Sequence, residues 1–317
     1  MKPTKAPKAI RTVRDAAQET TNKIIAALEA GTVPWQKTWK GVNAGLPRSL
    51  ATGKPYRGVN TFVLWFEGAA KGYKSDYWAT YKQISERGGQ VRKGERSTDI
   101  VFWKIIEKAE KTDGETRIKK IPLLRLFHVF NLDQADWAPG ARLPKVEPVI
   151  EGEEFDPIAA AEALVAEYLG HGPSLAHGGN SAFYRPSADH VQMPEFADFT
   201  SAEAYYSTLY HELTHSTGHE SRLAREGVSK GTFGAFGDKV YSQEELVAEM
   251  GAAMLCAVAG IEQAATLDNS AAYLAHWIQA LKGDSSLVIK AASAAQKAVD
   301  KILGTTFDNN NQEGDES

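Results

Sequence analysis

The sequence predicts an α+β fold in two domains, an N-terminal α+β domain and a C-terminal, mostly helical domain with a small sheet. Three observations carry that expectation. The charge changes sign along the chain: residues 1–130 hold 25 of its 36 Lys and Arg but only 12 of its 40 Asp and Glu. Pro139, Gly140, Pro144, Pro148 and Gly152 cluster where the change occurs. Strand-type segments precede that cluster, and long segments of helical period follow it.

The elements follow in chain order. Residues 1–9, rich in Lys, Pro and Ala, are expected to be a disordered basic arm, and residues 10–135 the first domain. Val13, Ala16, Ala17, Ile24, Ile25 and Leu28 recur at helical spacing, with Gly31 as a stop. Thr61 to Gly72 reads as an apolar helix and Asp76 to Gly89 as another. Ile100 to Ile106 and Leu123 to Asn131 are rich in β-branched and aromatic residues, as strands are. The charged stretch Glu107 to Lys120 reads as a long hairpin loop between them. Residues 136–156 are expected to be a linker and 157–305 the second domain, with 306–317 a disordered acidic tail. Within the second domain, helices are predicted over Ile158 to Leu169, Ser201 to Gly218, Ser242 to Gly260, Asn269 to Lys282 and Ser286 to Leu303. Ala182 to Pro194 reads as a strand pair, and Gly227 to Gly237 as a glycine-rich loop.

Composition narrows the function classes. Apolar residues make up 43% of the 317 and charged residues 24%, a soluble globular balance that lets either half bury a core. The chain holds no apolar run of about 18 residues, so no membrane span is expected. Met1 to Arg14 lacks the apolar stretch of a signal peptide, which predicts a cytoplasmic protein. The single cysteine, Cys256, rules out an internal disulfide and a cysteine-rich zinc site. It lies in an apolar helix and reads as a core residue.

The strongest motif is His211-Glu212-Leu213-Thr214-His215. Residues four apart on a helix share a face, so both imidazoles reach one ion. Zinc suits two His and a carboxylate best, although manganese, nickel or cobalt could occupy the same donors. Glu212 stands where it could take a proton from a metal-bound water, the chemistry of metal-assisted hydrolysis. A third ligand is needed. A His or Asp at position 221 would complete one common pattern, but that residue is Ser221, and His219 is out of register. A Glu from the following helix is the other solution. Glu245 is favoured, Glu249 would orient one His, and Glu244 is the fallback ligand or simply a helix N-terminal charge. His128, His171, His177, His190 and His276 each stand alone. Tyr184 or Tyr241 could offer a hydroxyl to an oxyanion. Phe183 to Pro194 could pair with an extended peptide substrate.

The first half mixes cations with aromatics and holds five of the seven Trp: 35, 39, 65, 78 and 103. Single-stranded nucleic acid is bound by such mixtures, cations following the backbone and rings stacking on bases. Candidate contacts are Arg48, Lys54, Tyr56, Arg57, Asn60, Trp78, Tyr81, Lys82, Arg92 and Lys93. Core packing is the competing role for the aromatic ones, and a solvated surface for the charged ones.

Several long strings resemble the ArdC-type antirestriction proteins of conjugative plasmids, over nearly the whole chain. In the first half these are residues 24–35, Thr52-Gly53-Lys54-Pro55-Tyr56-Arg57-Gly58-Val59-Asn60, Gly89-Gln90-Val91-Arg92-Lys93-Gly94 and Val129-Phe130-Asn131. They are similar to that family's single-stranded-DNA-binding domain. In the second half, residues 201–206, 211–218 and 244–253 resemble its zincin-like metallopeptidase domain. The resemblance implies His211, His215 and Glu245 as ligands and Glu212 as base. It also implies a role in protecting incoming plasmid DNA from host restriction. Partners would then be single-stranded DNA and, if the peptidase acts, a protein substrate. Two other functions remain open at this point: a DNA-tethered protease acting on DNA-bound proteins, and a non-enzymatic DNA-binding protein whose metal merely holds the fold.

Overall fold

The computed structural model describes residues 13–31, 33, 45–112, 115–144, 157–229, 239–261 and 271–305. The basic arm, the acidic tail, residues 145–156 of the linker, 230–238 of the glycine-rich loop, Trp35 and Trp39 lie outside them.

The first half runs α1 (Val13–Glu29), β1 (Arg48–Ser49), α2 (Val59–Lys71), β2 (Tyr77–Thr80), α3 (Tyr81–Glu86), β3 (Gly89–Val91), β4 (Thr98–Thr112), β5 (Glu115–Asn131) and β6 (Ala135–Trp137). Strands β1, β2, β5 and β4 form one sheet in that order, and β3 pairs with β6 in a second. Two expectations are corrected here. The segment predicted as one helix over Asp76 to Gly89 is a strand followed by a short helix. Thr80 makes the break, because its extended backbone ends β2 while its hydroxyl accepts from Gln83 N at 3.3 Å. The Gln83 side chain reaches back to Thr80 N at 2.9 Å and completes a capping box. The charged stretch Glu107 to Lys120 is no loop either. It continues both strands into a two-stranded ribbon whose register sets Glu107 opposite Lys120 and Glu110 opposite Arg117. The paired register runs through the charged stretch as far as Thr112 opposite Glu115, so charge there does not mean loop.

The second half runs α4 (Pro157–Leu169), β7 (Ser174–His177), β8 (Phe183–Arg185), β9 (His190–Met193), α5 (Ala202–Ser216), α6 (Glu226–Ser229), α7 (Lys239–Ala259), α8 (Ala271–Gly283) and α9 (Leu287–Ile302). Its small sheet has the order β7-β9-β8. Helices α4, α5, α7, α8 and α9 form where their apolar spacing predicts, whereas the described start of the expected glycine-rich loop, residues 227–229, belongs to the short helix α6. On α9 half of the inward face is alanine, with Ala291, Ala292, Ala295 and Ala298 fully buried, so neighbouring helices approach closely. Helix α7 packs against α5 on one side and α9 on another.

The main core is not confined to one half. Ile24, Ile25 and Leu28 of α1 and Val59, Phe62 and Trp65 of α2 join the same buried cluster as Leu209, Leu246, Trp277 and Ala295. Burying each such large side chain contributes about 1.5–3 kcal/mol. Polar ties reinforce the seam: Thr21 Oγ1 donates to Ser285 O at 2.7 Å, Gly58 N donates to Gln296 Oε1 at 3.1 Å, and Arg57 pairs with Asp300. Two smaller clusters, around Ile84 and around Trp78, belong to the first half alone. The expectation of a separate core for each half therefore holds only for part of the N-terminal domain. No helix among the described residues is long and apolar enough to cross a membrane.

Candidate metal centre and nucleic-acid interface

Helix α5 starts at Ser201, whose side chain accepts from Ala204 N at 3.1 Å, with Glu203 in the first turn beside the helix's positive end. Tyr205, Leu209 and Leu213 are buried and seat the helix in the core. The following turns carry His211 and His215 toward α7. The crossing is close because residue 251 of α7 is glycine: a Cβ there would lie 2.5 Å from Thr214 Cγ2.

This crossing brings three donors together. His211, His215 and Glu245 each offer a ligand atom, all within 4.8 Å of one another, and they form the metal-compatible group among the described residues. The two Nε2 atoms are 3.1 Å apart. Glu245 Oε2 lies 3.6 Å from His211 Nε2, and Oε1 lies 3.5 Å from His215 Nε2. The far side of each ring faces another carboxylate. His215 Nδ1 is 3.1 Å from Glu244 Oε1, and His211 Nδ1 is 3.5 Å from Glu249 Oε1. A neutral ring so placed carries its proton on Nδ1 and turns the Nε2 lone pair toward the common point. Two lone pairs and a carboxylate converging in a buried site repel one another unless positive charge lies among them. A divalent metal ion fits that requirement.

Protons on the two rings also supply that positive charge, and a metal that binds there has to displace them. Burial alone would lower the His211 and His215 pKa values, but their carboxylate partners more than reverse it. His215 rises to about 9 and His211 well above its ordinary value. Burial would raise Glu245, yet the two His hold its carboxyl below the usual range. Glu212, beside His211, is only 8% exposed. Tyr241 lies one turn before Glu245 on α7. Burial, then the Glu245 carboxylate, pushes its hydroxyl up to about 12, so it stays a proton donor at neutral pH. Tyr184 belongs elsewhere: its hydroxyl donates to Asp189 Oδ1 at 2.9 Å in a network with Arg222. Of the Phe183 to Pro194 segment, β8 is an edge strand but β9 is central, so only β8 has a side open to added pairing.

Two site residues escape sequence reasoning. Glu244, weighed there as ligand or terminal charge, instead contacts His215 Nδ1. Its other partner is Arg225, whose Nε and Nη2 donate to its carboxylate at 2.8 and 2.6 Å. Burial would raise the Glu244 pKa, but Arg225 and His215 lower it. A buried Glu demands a cation, which is a signal, but nothing in the spacing points to Arg225. The remaining His are engaged elsewhere: His128 with Asp99, His177 with Tyr205, His190 with Ser174, His219 with Ser221, His276 with Ser242 and the ring of His171 against Tyr168.

The proposed nucleic-acid contacts separate into two groups. Trp78 is 2% exposed and packs in the small core with Tyr56 and Ile100. Asn60 is buried and exchanges two hydrogen bonds with the Val101 backbone, at 2.8 and 2.9 Å. Arg57 is spent on Asp300. These four hold the fold. Arg48 is half-buried, and its Nη1 donates to Gly53 O at 3.1 Å. Lys54, Lys82, Arg92 and Lys93 are exposed, and Tyr81 is 51% exposed. Tyr81 leans edge-on against Phe130, with ring centroids 6.5 Å apart, and Gln90 Nε2 donates to its hydroxyl at 2.8 Å. With Arg92 and Lys93 these three line one surface groove.

The fold and the donor cluster define the class: a zincin-like domain, its two His on one helix and a Glu on the next, joined to an N-terminal α+β domain. Residues 159–294 match the zincin-like metallopeptidase family MPTase-PolyVal, and residues 14–130 match the N-terminal domain of anti-restriction factor ArdC. The crystal structure of antirestriction protein ArdC from plasmid R388, in its metal-free form, is 39% identical, with a TM-score of 0.70 over 92% of this chain and 100% of that one. Its Mn(II)-bound form gives 41% identity and a TM-score of 0.69, over 91% and 97%. The protein y4eC of Sinorhizobium fredii is 39% identical over 298 residues, 92% of each chain. Two Escherichia coli proteins named DNA primase TraC are 37% and 35% identical, and the chain spans only 19% and 27% of their lengths. This chain belongs to the ArdC antirestriction family.

Proposed function

We propose that the chain is an antirestriction protein that binds single-stranded DNA through its N-terminal half and protects incoming plasmid DNA in the cytoplasm of a recipient cell. Its C-terminal half carries a metal-dependent peptidase centre. The convergence of His211 Nε2, His215 Nε2 and the Glu245 carboxylate is the observation that carries the metal centre. These three residues hold the ion, zinc being the one that best suits two imidazoles and a carboxylate. When bound, the metal supplies Lewis acidity toward a water and a substrate carbonyl. The chain's own residues supply the rest. Glu212 accepts the water's proton on its carboxylate and returns it to the leaving amine. Tyr241, protonated at neutral pH, donates toward the developing oxyanion. β8 offers a free edge to an extended peptide.

On the DNA side, Tyr81 is the stacking ring, with Lys93 beside it for phosphates; Arg92 lines the same groove but is paired with Glu95 and Asp136 there. The TraC relatives, named as primases, carry this unit as a small part of their length, which supports work on DNA.

Three measurements test these roles. Elemental analysis should find about one metal per chain in wild type and none in His211→Ala; negligible metal in both would remove the centre. Fluorescence anisotropy should favour single over double strands, with affinity falling as salt rises. Equal, weak and salt-insensitive binding would end the DNA role. Glu212→Ala should keep fold and metal but lose both hydrolysis and protection in a restriction challenge. Full protection by that variant would leave a non-enzymatic DNA-binding protein.

A further inference from the structure

We propose that Arg225 is a positioning residue for the metal centre: its guanidinium fixes Glu244, and Glu244 in turn fixes the ring of His215. The proposal rests on His211, His215 and Glu245 holding a metal.

Arg225 follows α5 by a tight turn in which Ala224 adopts a left-handed backbone, φ 47°. Its side chain turns back under the end of the helix. Nη2 donates to Thr214 O at 2.8 Å and Nη1 to Thr217 Oγ1 at 2.6 Å. A cation at this end also meets the negative pole of α5. The same guanidinium grips both oxygens of Glu244 on α7, so one side chain ties the metal-bearing helix to the helix that supplies the third ligand. Both partners are nearly buried, at 11% and 4% side-chain exposure. Gly218 makes room for it, since a Cβ there would lie 3.0 Å from Arg225 Nη2 and 2.8 Å from Val228.

The consequence falls on His215. Its Nδ1 is 3.1 Å from Glu244 Oε1, the oxygen that also takes the 2.6 Å bond from Arg225 Nη2. An acceptor pinned this way fixes both the ring's rotation and its tautomer, leaving Nε2 for the ion. Lysine cannot replace the function, because an ammonium has no planar fork to hold two carboxylate oxygens. His211 Nδ1 instead faces Glu249 Oε1 at 3.5 Å, so a different carboxylate stands behind each ligand ring, and only Glu244 is clamped by Arg225.

The test is Mn(II) titration by calorimetry on the full chain, with metal-free melting curves recorded alongside. The variants are Arg225→Lys, Glu244→Gln, the two combined, and His211→Ala as control. Each single variant should weaken Mn(II) binding roughly ten- to a hundredfold, the usual cost of losing an outer partner of a ligand. The double variant should be no weaker than the worse single one, because both act through one contact. Additive losses, or wild-type affinity in Arg225→Lys, would overturn the proposal and leave Arg225 with a structural role. If Arg225→Lys does not fold, Glu244→Gln decides: wild-type affinity there overturns the proposal, and a loss sustains it. Mn(II) binding that survives in His211→Ala would instead overturn the metal centre itself.

Discussion

Replacing Gly251 with alanine would push apart the two helices that build the donor cluster. The new Cβ would sit 2.5 Å from Thr214 Cγ2 and 2.6 Å from Thr214 Oγ1. Ordinary carbon contacts are about 3.5–4.0 Å, so α5 and α7 would have to separate by about 1 Å. Thr214 cannot simply rotate away, because its hydroxyl donates to Tyr210 O at 2.7 Å in a fully buried setting. Overpacking of this kind costs about 1–3 kcal/mol. Alanine in a helix returns about 1 kcal/mol relative to glycine. The net loss is about 1 kcal/mol, a few degrees in the thermal midpoint. The effect on metal should be larger in proportion. Thr214 adjoins His215, and ligand distances tolerate only about 0.2 Å, so Mn(II) affinity should fall at least tenfold, roughly. Adding Thr214→Ala removes both clashing atoms and leaves Thr214 Cβ, at 3.1 Å, as the nearest contact. The double variant should recover much of the affinity. Circular dichroism melts and Mn(II) calorimetry measure both quantities. A Gly251→Ala protein with wild-type midpoint and affinity would refute the close-crossing argument, as would a double variant no better than the single.

Other consequences are open to direct measurement. Arg57→Ala removes a half-buried charge pair across the seam and should lower stability to urea by about 1.5–3 kcal/mol, with single-strand affinity unchanged; the opposite pattern would make Arg57 a DNA contact. Tyr81→Ala should weaken single-strand binding by about 1–3 kcal/mol, and Lys93→Ala should flatten its salt dependence by about 0.7 in slope. Binding indifferent to both would place the DNA on another face. Burial raises the Cys256 thiol to about 12, so at pH 8 a thiol reagent should label only denatured protein. Because the folded thiol holds its proton while an unfolded one ionises near pH 8.5, this group leaves stability unchanged below about pH 8.5 and lowers it as pH rises toward 12. Rapid labelling of native protein at pH 8 would contradict that burial.

The donor cluster was legible because its residues repeat at helical spacing: His211 and His215 four apart, Glu245 and Glu249 four apart, each on a strongly apolar helix. Arg225 was not, because a turn with one left-handed residue carries it to a partner 19 positions away. Burial of the first half's aromatics was likewise hidden. Trp78 and Tyr81 are three residues apart in one basic, aromatic run, yet Trp78 lies in β2 against the small core and Tyr81 opens α3 in solvent. Strand and helix faces decide that difference, and β1, β2, β3 and β6 are too short to show a period. The middle of the β4–β5 ribbon is hard to read because charged residues are as common in loops as on exposed strands; Asp113-Gly114, a two-residue hairpin signal, is its one local mark in the sequence.

The core shared by α1, α2 and the C-terminal helices sets how the two halves could cooperate. Two modules on a flexible tether sample many separations, and the tether's length fixes the local concentration of one near the other. Here packed side chains, not a tether, hold the Tyr81 groove and the donor cluster apart. If the Tyr81 groove binds DNA and Glu212 serves hydrolysis, as proposed, a protein on the same strand would gain a high effective concentration at Glu212 only where its own position matched that fixed span. Selectivity among DNA-bound proteins could then come from distance along the strand, measured by the body of the molecule as by a ruler.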